Sequence, residues 1–292
     1  MAQPADRPGG LTNIQKRILS AAVLLPLVLV DIVLGHPYFD ILVAAFAGIM
    51  AWEWARVCAR RRNPADPTPA ARLAAEQWLA PGMLSIAAAV LAVLAEGFIE
   101  GAYVAWIVLL AGATLCGLAA LRHHRARAFW FPVGTIYVAL PALALLAIRA
   151  DPAFGQQTLF WTIALVVAAD TGGYLVGRNV GGPKLAPGIS PNKTWSGLGG
   201  AVAGAALVGL STAFILNHTN VLMLTLFSAG LGLVEQAGDL VESAFKRHFG
   251  VKDTSQIIPG HGGVLDRVDG LLAVAVAVLI ANKWAGGSVL AW

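Results

Sequence analysis

Residues 243–269 crowd Lys246, Arg247, Lys252, Asp253, His261, Asp266, Arg267 and Asp269 between two long apolar runs. An unpaired charge in apolar surroundings is expensive, so these side chains are candidates for function rather than decoration. The run Gly260-His-Gly-Gly263 removes side-chain bulk just ahead of Asp266 and lets backbone N–H groups approach an anion. Acids suited to a metal, bases suited to phosphates and glycines for close approach together describe phosphoryl or nucleotidyl chemistry.

Residues upstream extend the pattern. Asp170 stands deep in an apolar run, followed at once by Thr171, Gly172 and Gly173. A carboxylate so placed either pairs with a base or lines a wet site. Residues 181–195 then form a Gly/Pro-punctuated loop ending in Ser190, Lys193 and Thr194. Hydroxyls beside a lysine suit phosphate oxygens, although the Gly-x-x-x-x-Gly-Lys-Ser/Thr spacing of a P-loop is absent. Glu235, Asp239, Glu242 and Lys246 follow at steps of four, three and four, so they share one helix face. Three carboxylates on one face repel unless a cation or base intervenes, and a divalent ion is the economical solution. Asp266, 27 residues beyond Asp239, is the natural second arm.

The elements that must position these groups are membrane helices. The chain has 292 residues, of which 58% are hydrophobic and only 12% charged. That is about half the charge content of a soluble domain and argues for an all-α polytopic membrane protein. Nine spans are expected, at residues 18–34, 39–57, 78–95, 103–121, 129–148, 159–176, 198–216, 221–241 and 268–284. Each is near the roughly 20 residues that cross about 30 Å of hydrocarbon. Lys16 and Arg17 precede the first span without a small-residue cleavage site after it, so it reads as a retained helix.

Charge sets the orientation. With the N-terminus inside and the spans alternating, 18 of the 20 lysines and arginines fall on the inner side, leaving Arg149 and Lys283 outside. The expected topology is therefore N-in and C-out, with residues 243–269 facing the cytoplasm. Residues 1–150 read as an N-terminal group of helices and 151–292 as the catalytic half. Cys58 and Cys116 have no metal-like spacing.

Other polar features have plainer readings. His36 and His218 are lone histidines in outer turns, and Glu53, between Trp52 and Trp54, is either interfacial decoration between aromatic anchors or a carboxylate that reaches into a polar cavity. The basic runs Arg60-Arg-Arg62 and Arg122-His-His-Arg125 serve topology, and no nucleic-acid partner is implied. Gly200 and Gly204 are four apart in the seventh span, which favours a close helix contact, within the chain or in a homodimer.

Position for position, Ser243-x-Phe-Lys-Arg-x4-Lys-Asp-x-Ser-x2-Ile-Pro-x-His-Gly-Gly-Val-x-Asp-Arg-Val-Asp269 resembles the signature of the phosphatidate cytidylyltransferases, also called CDP-diacylglycerol synthases. Asp170-Thr-Gly-Gly-Tyr, Ser190-Pro-x-Lys-Thr-Trp and Gly238-Asp-Leu-Val-Glu-Ser243 also look like this family. The likeness is close over residues 168–269; the first five spans match in hydropathy and in pieces such as Trp52-Glu-Trp-Ala-Arg56. The chain departs from the family's habit at Asn192, where a second basic residue is common, and at Ser196, where an acid is common.

The resemblance implies transfer of CMP from CTP to phosphatidate at the inner face of a bacterial plasma membrane. It also implies Mg2+ at Asp239 and Asp266, with Asp170 a further contributor, and a second, monovalent cation such as K+. Lys193, Lys246, Arg247, Lys252 and Arg267 would hold the triphosphate or lipid phosphate, helped by Ser190, Thr194, Ser243 and Asp253. His261 would contact phosphate or position the loop, since an ionised phosphate needs little help from a general base.

Two rivals stay open on the sequence. One is a related membrane enzyme, either a CTP-dependent lipid kinase or a cytidylyltransferase for another lipid phosphate. The other is a cation-coupled transporter with Asp170, Asp239 and Asp266 as its ion site. Against the transporter, the charges gather at one face and no inverted repeat of broken helices is visible.

Overall fold

The structure is a computed structural model that describes residues 13–59, 79–99, 102–122, 125–217, 220–258 and 262–292. Nine long helices account for most of these residues, as expected of an all-α polytopic membrane protein. They are α1 (Asn13–Leu34), α2 (Tyr38–Cys58), α3 (Leu79–Phe98), α4 (Ala102–Leu121), α5 (Trp130–Arg149), α6 (Gly155–Asn179), α7 (Trp195–Leu216), α8 (Val221–His248) and α9 (Leu265–Ala285). A single helical turn, Arg125–Ala128, precedes α5.

Helices α2 to α9 comprise 8 that are long and apolar enough to cross a membrane. Helix α1 runs unbroken for 22 residues, and its shorter apolar part among the described residues is Leu24–Leu34. Two boundaries differ from expectation in a way that matters. Helix α8 continues past Val241 to His248, so its whole acidic face is on one rod of 28 residues. At 1.5 Å per residue that rod is about 42 Å long, more than the hydrocarbon core requires. Helix α9 begins at Leu265 rather than Val268, which puts Asp266 in its first turn.

Chain chemistry explains the ends. Asn220 Oδ1 accepts from Met223 N at 3.0 Å to cap α8, and Thr194 Oγ1 accepts from Gly197 N at 3.1 Å to cap α7. Gly286, at φ 73°, closes α9 in the left-handed conformation that glycine adopts freely.

Helices α2, α3, α4 and α5 pack as one group, and α6, α7 and α8 as another, with α9 lying against α8, α6 and α5. The small residues of α7 serve the second group. A Cβ on Gly200 would sit 2.4 Å from the Gly172 carbonyl oxygen, and one on Gly204 2.4 Å from that of Ala168. The close contact anticipated for this stripe is thus made within the chain, against α6. Between α6 and α7, β1 (Lys184–Ala186) and β2 (Ser190–Thr194) form a small antiparallel hairpin, Lys184 opposite Thr194 and Ala186 opposite Ser190.

Candidate active site

The polar residues expected to work together meet where the hairpin lies against α8. Lys193, on β2, turns its ammonium toward α8. Its Nζ lies 2.6 Å from Asp239 Oδ2 and donates to the Gln236 carbonyl oxygen at 3.4 Å. Asp239 Oδ1 accepts from Ser243 Oγ at 3.2 Å, one turn further along the helix. Two turns beyond Asp239, Lys246 Nζ stands between Glu242 Oε2 at 2.5 Å and Asp266 Oδ1 at 2.9 Å. Both aspartates expected to hold a metal therefore already hold an ammonium.

Their surroundings differ. The Asp239 side chain is 27% exposed, that of Asp266 only 3%. Besides Lys246, Asp266 accepts from Thr254 N at 2.9 Å, Thr254 Oγ1 at 3.1 Å and Gly263 N at 2.9 Å. These donors belong to the loop between α8 and α9, so Asp266 ties that loop to the helix it opens. Asp239 has one lysine and one hydroxyl, and its carboxylate remains accessible.

More carboxyls crowd in than the expected pair. Asp170, on α6, interacts electrostatically with the buried Glu235 of α8 and lies in the fields of Asp239, Lys193 and Arg267. Asp269, one turn past Asp266, lies in the fields of Asp239, Lys246 and Asp170. Glu242 is fully buried, and neither of its oxygens receives an aligned hydrogen bond among the described residues. Tyr137, on α5, also buries a hydroxyl without a hydrogen-bond partner among them, in the fields of Glu242, Asp269 and Asp239.

Six carboxyls (Asp170, Glu235, Asp239, Glu242, Asp266 and Asp269) thus gather around three cations, Lys193, Lys246 and Arg267. The surplus of carboxyl groups over cations and the all-oxygen donor set suit a hard cation. The ligands are not drawn together in advance: among the described residues no group of three His, Cys, Asp or Glu side chains forms a metal cage.

The remaining expected residues are dispersed around this cluster. Thr194 is buried and spends its hydroxyl on the α7 cap, while Ser190 opens β2 half-buried. Ser196, at one of the departures noted above, donates to the Gly181 carbonyl oxygen just ahead of β1. Arg247 donates from Nε to Ile189 O at 3.2 Å and from Nη1 to Val251 O at 3.3 Å, linking hairpin and loop. Lys252, Asp253 and Arg267 are exposed. His261 lies outside the described residues, as do Pro259, Gly260 and the Arg60–Arg62 run.

Glu53 overturns the reading of it as surface decoration. It is fully buried, and its carboxylate reaches the loop and first turn of α9 more than 200 residues away in sequence, accepting from Leu265 N at 2.8 Å and Val264 N at 3.0 Å. A carboxylate inside an otherwise apolar span was the available signal. Its partners were not legible, because nothing local to α2 indicates what crosses it. Asp269 was visible in the charged stretch, but its place beside Asp239 emerges only from the crossing of α8 and α9.

A family model described as the cytidylyltransferase family matches residues 15–284. A phosphatidate cytidylyltransferase of Brucella suis is 36% identical over 270 residues, covering 92% of this chain and 93% of that protein. Proteins of the same name are 33% identical in Pseudomonas aeruginosa, over 94% of this chain and 98% of the relative, and 32% identical in Haemophilus influenzae, over 89% and 95%.

Proposed function

Because this chain belongs to the cytidylyltransferase family, we propose that it transfers the CMP of CTP to phosphatidate, forming CDP-diacylglycerol and pyrophosphate. The observation that carries the proposal is the double pairing of Lys193 with Asp239 and of Lys246 with Asp266 at one end of a bundle of membrane-spanning helices. A lipid substrate accounts for a polar site within such a bundle, and a soluble nucleotide for its opening at the charged end.

A phosphatidate phosphate oxygen attacks the α-phosphorus of CTP in line. The bond from that phosphorus to the β-phosphate bridging oxygen breaks, and pyrophosphate departs with the electron pair. Such transfers rest on positioning and charge neutralisation rather than on a covalent enzyme intermediate. Lys193 and Lys246 bind phosphate oxygens, and Asp239, with the Asp266 oxygen that Lys246 vacates and with Asp170 and Asp269, would hold a cation. A Mg2+ ion bound by these carboxylates would supply neutralisation of the triphosphate charge. The acidic surplus leaves room for a second, monovalent cation such as K+.

Arg247, Lys252 and Arg267 hold the outer phosphates, with Ser190, Thr194, Ser243 and Asp253 fixing the hairpin and helix that flank them. His261 contacts phosphate or supports the loop. The 18 inner basic residues favour a site facing the cytoplasm of a bacterial inner membrane. The test is direct: purified protein, labelled CTP, phosphatidate and Mg2+ should yield labelled CDP-diacylglycerol and free pyrophosphate. Release of CDP with a phosphorylated lipid would make it a kinase instead.

A further inference from the structure

We propose that Glu53 is a positioning residue of the active site, a clamp carried on α2 that sets Thr254, Ser255 and the first turn of α9; this rests on the cytidylyl-transfer reading above. The carboxylate is 0% exposed and receives four donors. Oε1 accepts from Ser255 Oγ at 2.5 Å and Val264 N at 3.0 Å, and Oε2 from Leu265 N at 2.8 Å, with Thr254 Oγ1 at 3.3 Å sharing its one proton between Glu53 and Asp266.

The start of a helix leaves backbone N–H groups without partners and carries the positive end of its dipole. Val264, at the boundary of α9, has no side chain able to cap it. Glu53 supplies that cap from the other helix group. The same clamp touches Asp266, the aspartate that holds Lys246. Thr254 Oγ1 lies between Glu53 Oε2 and Asp266 Oδ2, while Thr254 N donates to Asp266, whose other oxygen holds Lys246.

Two neighbours support the reading. A Cβ on Gly263 would lie 2.1 Å from Thr254 Oγ1 and 2.6 Å from Glu53 Oε1, so glycine is required there by the clamp itself. Trp54 stacks on Phe245 of α8 with ring centroids 3.6 Å apart, which fixes α2 against the helix that carries Lys246. A residue that served packing alone would be apolar, since burying a carboxylate is costly unless its donors are all in place.

The test uses the full-length protein in nanodiscs. Glu53→Gln keeps the volume, but its amide nitrogen cannot accept a hydrogen bond, so two of the four donors are stranded. Amide exchange at Thr254, Val264 and Leu265 should quicken. Turnover should fall about tenfold to a hundredfold, as for residues that orient metal ligands. The Mg2+ concentration for half-maximal rate should rise, which a mere loss of folded protein would not produce, and Glu53→Asp should recover part of the loss.

Unchanged exchange at those amides, or a normal Mg2+ requirement and turnover, in folded Glu53→Gln would overturn the clamp. If Glu53→Gln does not fold, Ser255→Ala decides. It removes one donor and should show the same changes at smaller size, and wild-type behaviour throughout would count against the proposal. A wild-type protein that makes no CDP-diacylglycerol would defeat the functional reading, while the exchange data would still decide whether Glu53 holds the loop.

Discussion

Lys193 and Asp239 meet at 2.6 Å although they lie on a hairpin strand and a membrane helix, with side chains 15% and 27% exposed. The pair is therefore within reach of a ligand. In the proposed reaction a phosphate draws the lysine away and the aspartate becomes available to a cation.

Removing that lysine should weaken substrate handling without unfolding the protein. If Lys193 binds phosphate as proposed, Lys193→Ala deletes a charge-assisted contact of about 1.5–3 kcal/mol. That corresponds to roughly a tenfold to hundredfold loss in kcat/KM for CTP. Steady-state kinetics on the purified variant check it, and an unchanged value would return Lys193 to a purely topological role.

Asp239→Asn and Asp266→Asn should separate activity from stability. Asp239 is partly exposed and lightly bonded, so its variant should lose nearly all turnover at an unchanged Tm. Asp266 is buried under Lys246 and three loop donors, and losing its charge leaves Lys246 with Glu242 alone and puts an amide where the loop needs an acceptor. Breaking a buried pair on one side costs about 3–5 kcal/mol, so this variant should lose both turnover and Tm. A double variant should be no less active than the worse single one, because groups serving one ion act as a unit. Thermal unfolding and turnover measured side by side distinguish the cases.

Gly263→Ala should destabilise the α8–α9 loop, since the new methyl would press on Thr254 Oγ1 and Glu53 Oε1. Overpacking of this kind costs about 1–3 kcal/mol. A lower Tm, with faster amide exchange near Val264, is the expected outcome. Gly286→Ala, at an open C-cap, should leave the loop's exchange unaltered.

The N-in, C-out topology is tested by cysteine labelling. Cys58 and Cys116 are buried and need replacing first. An impermeant reagent should reach Lys252→Cys only from the cytoplasmic side and Ala153→Cys only from the other. Labelling of both from one side would reject the alternation of spans.

Much of this molecule is legible in its sequence because the signals are local. Apolar runs of membrane-crossing length locate the helices, and the steps of four, three and four among Glu235, Asp239, Glu242 and Lys246 set their common face. The charged stretch and its family signature point to nucleotidyl chemistry without any contact being known. What only tertiary structure decided is which charge meets which. Lys193 pairs with Asp239 because β2 folds back on α8, and Lys246 reaches Asp266 because α9 crosses α8 at that height. Glu53 caps a helix that begins 212 residues later, a relation set by how α2 packs against α8 and α9, which no pattern local to residues 52–54 encodes. Hydropathy and helical period are properties of a single segment, whereas an ion pair between segments exists only once their crossing is formed.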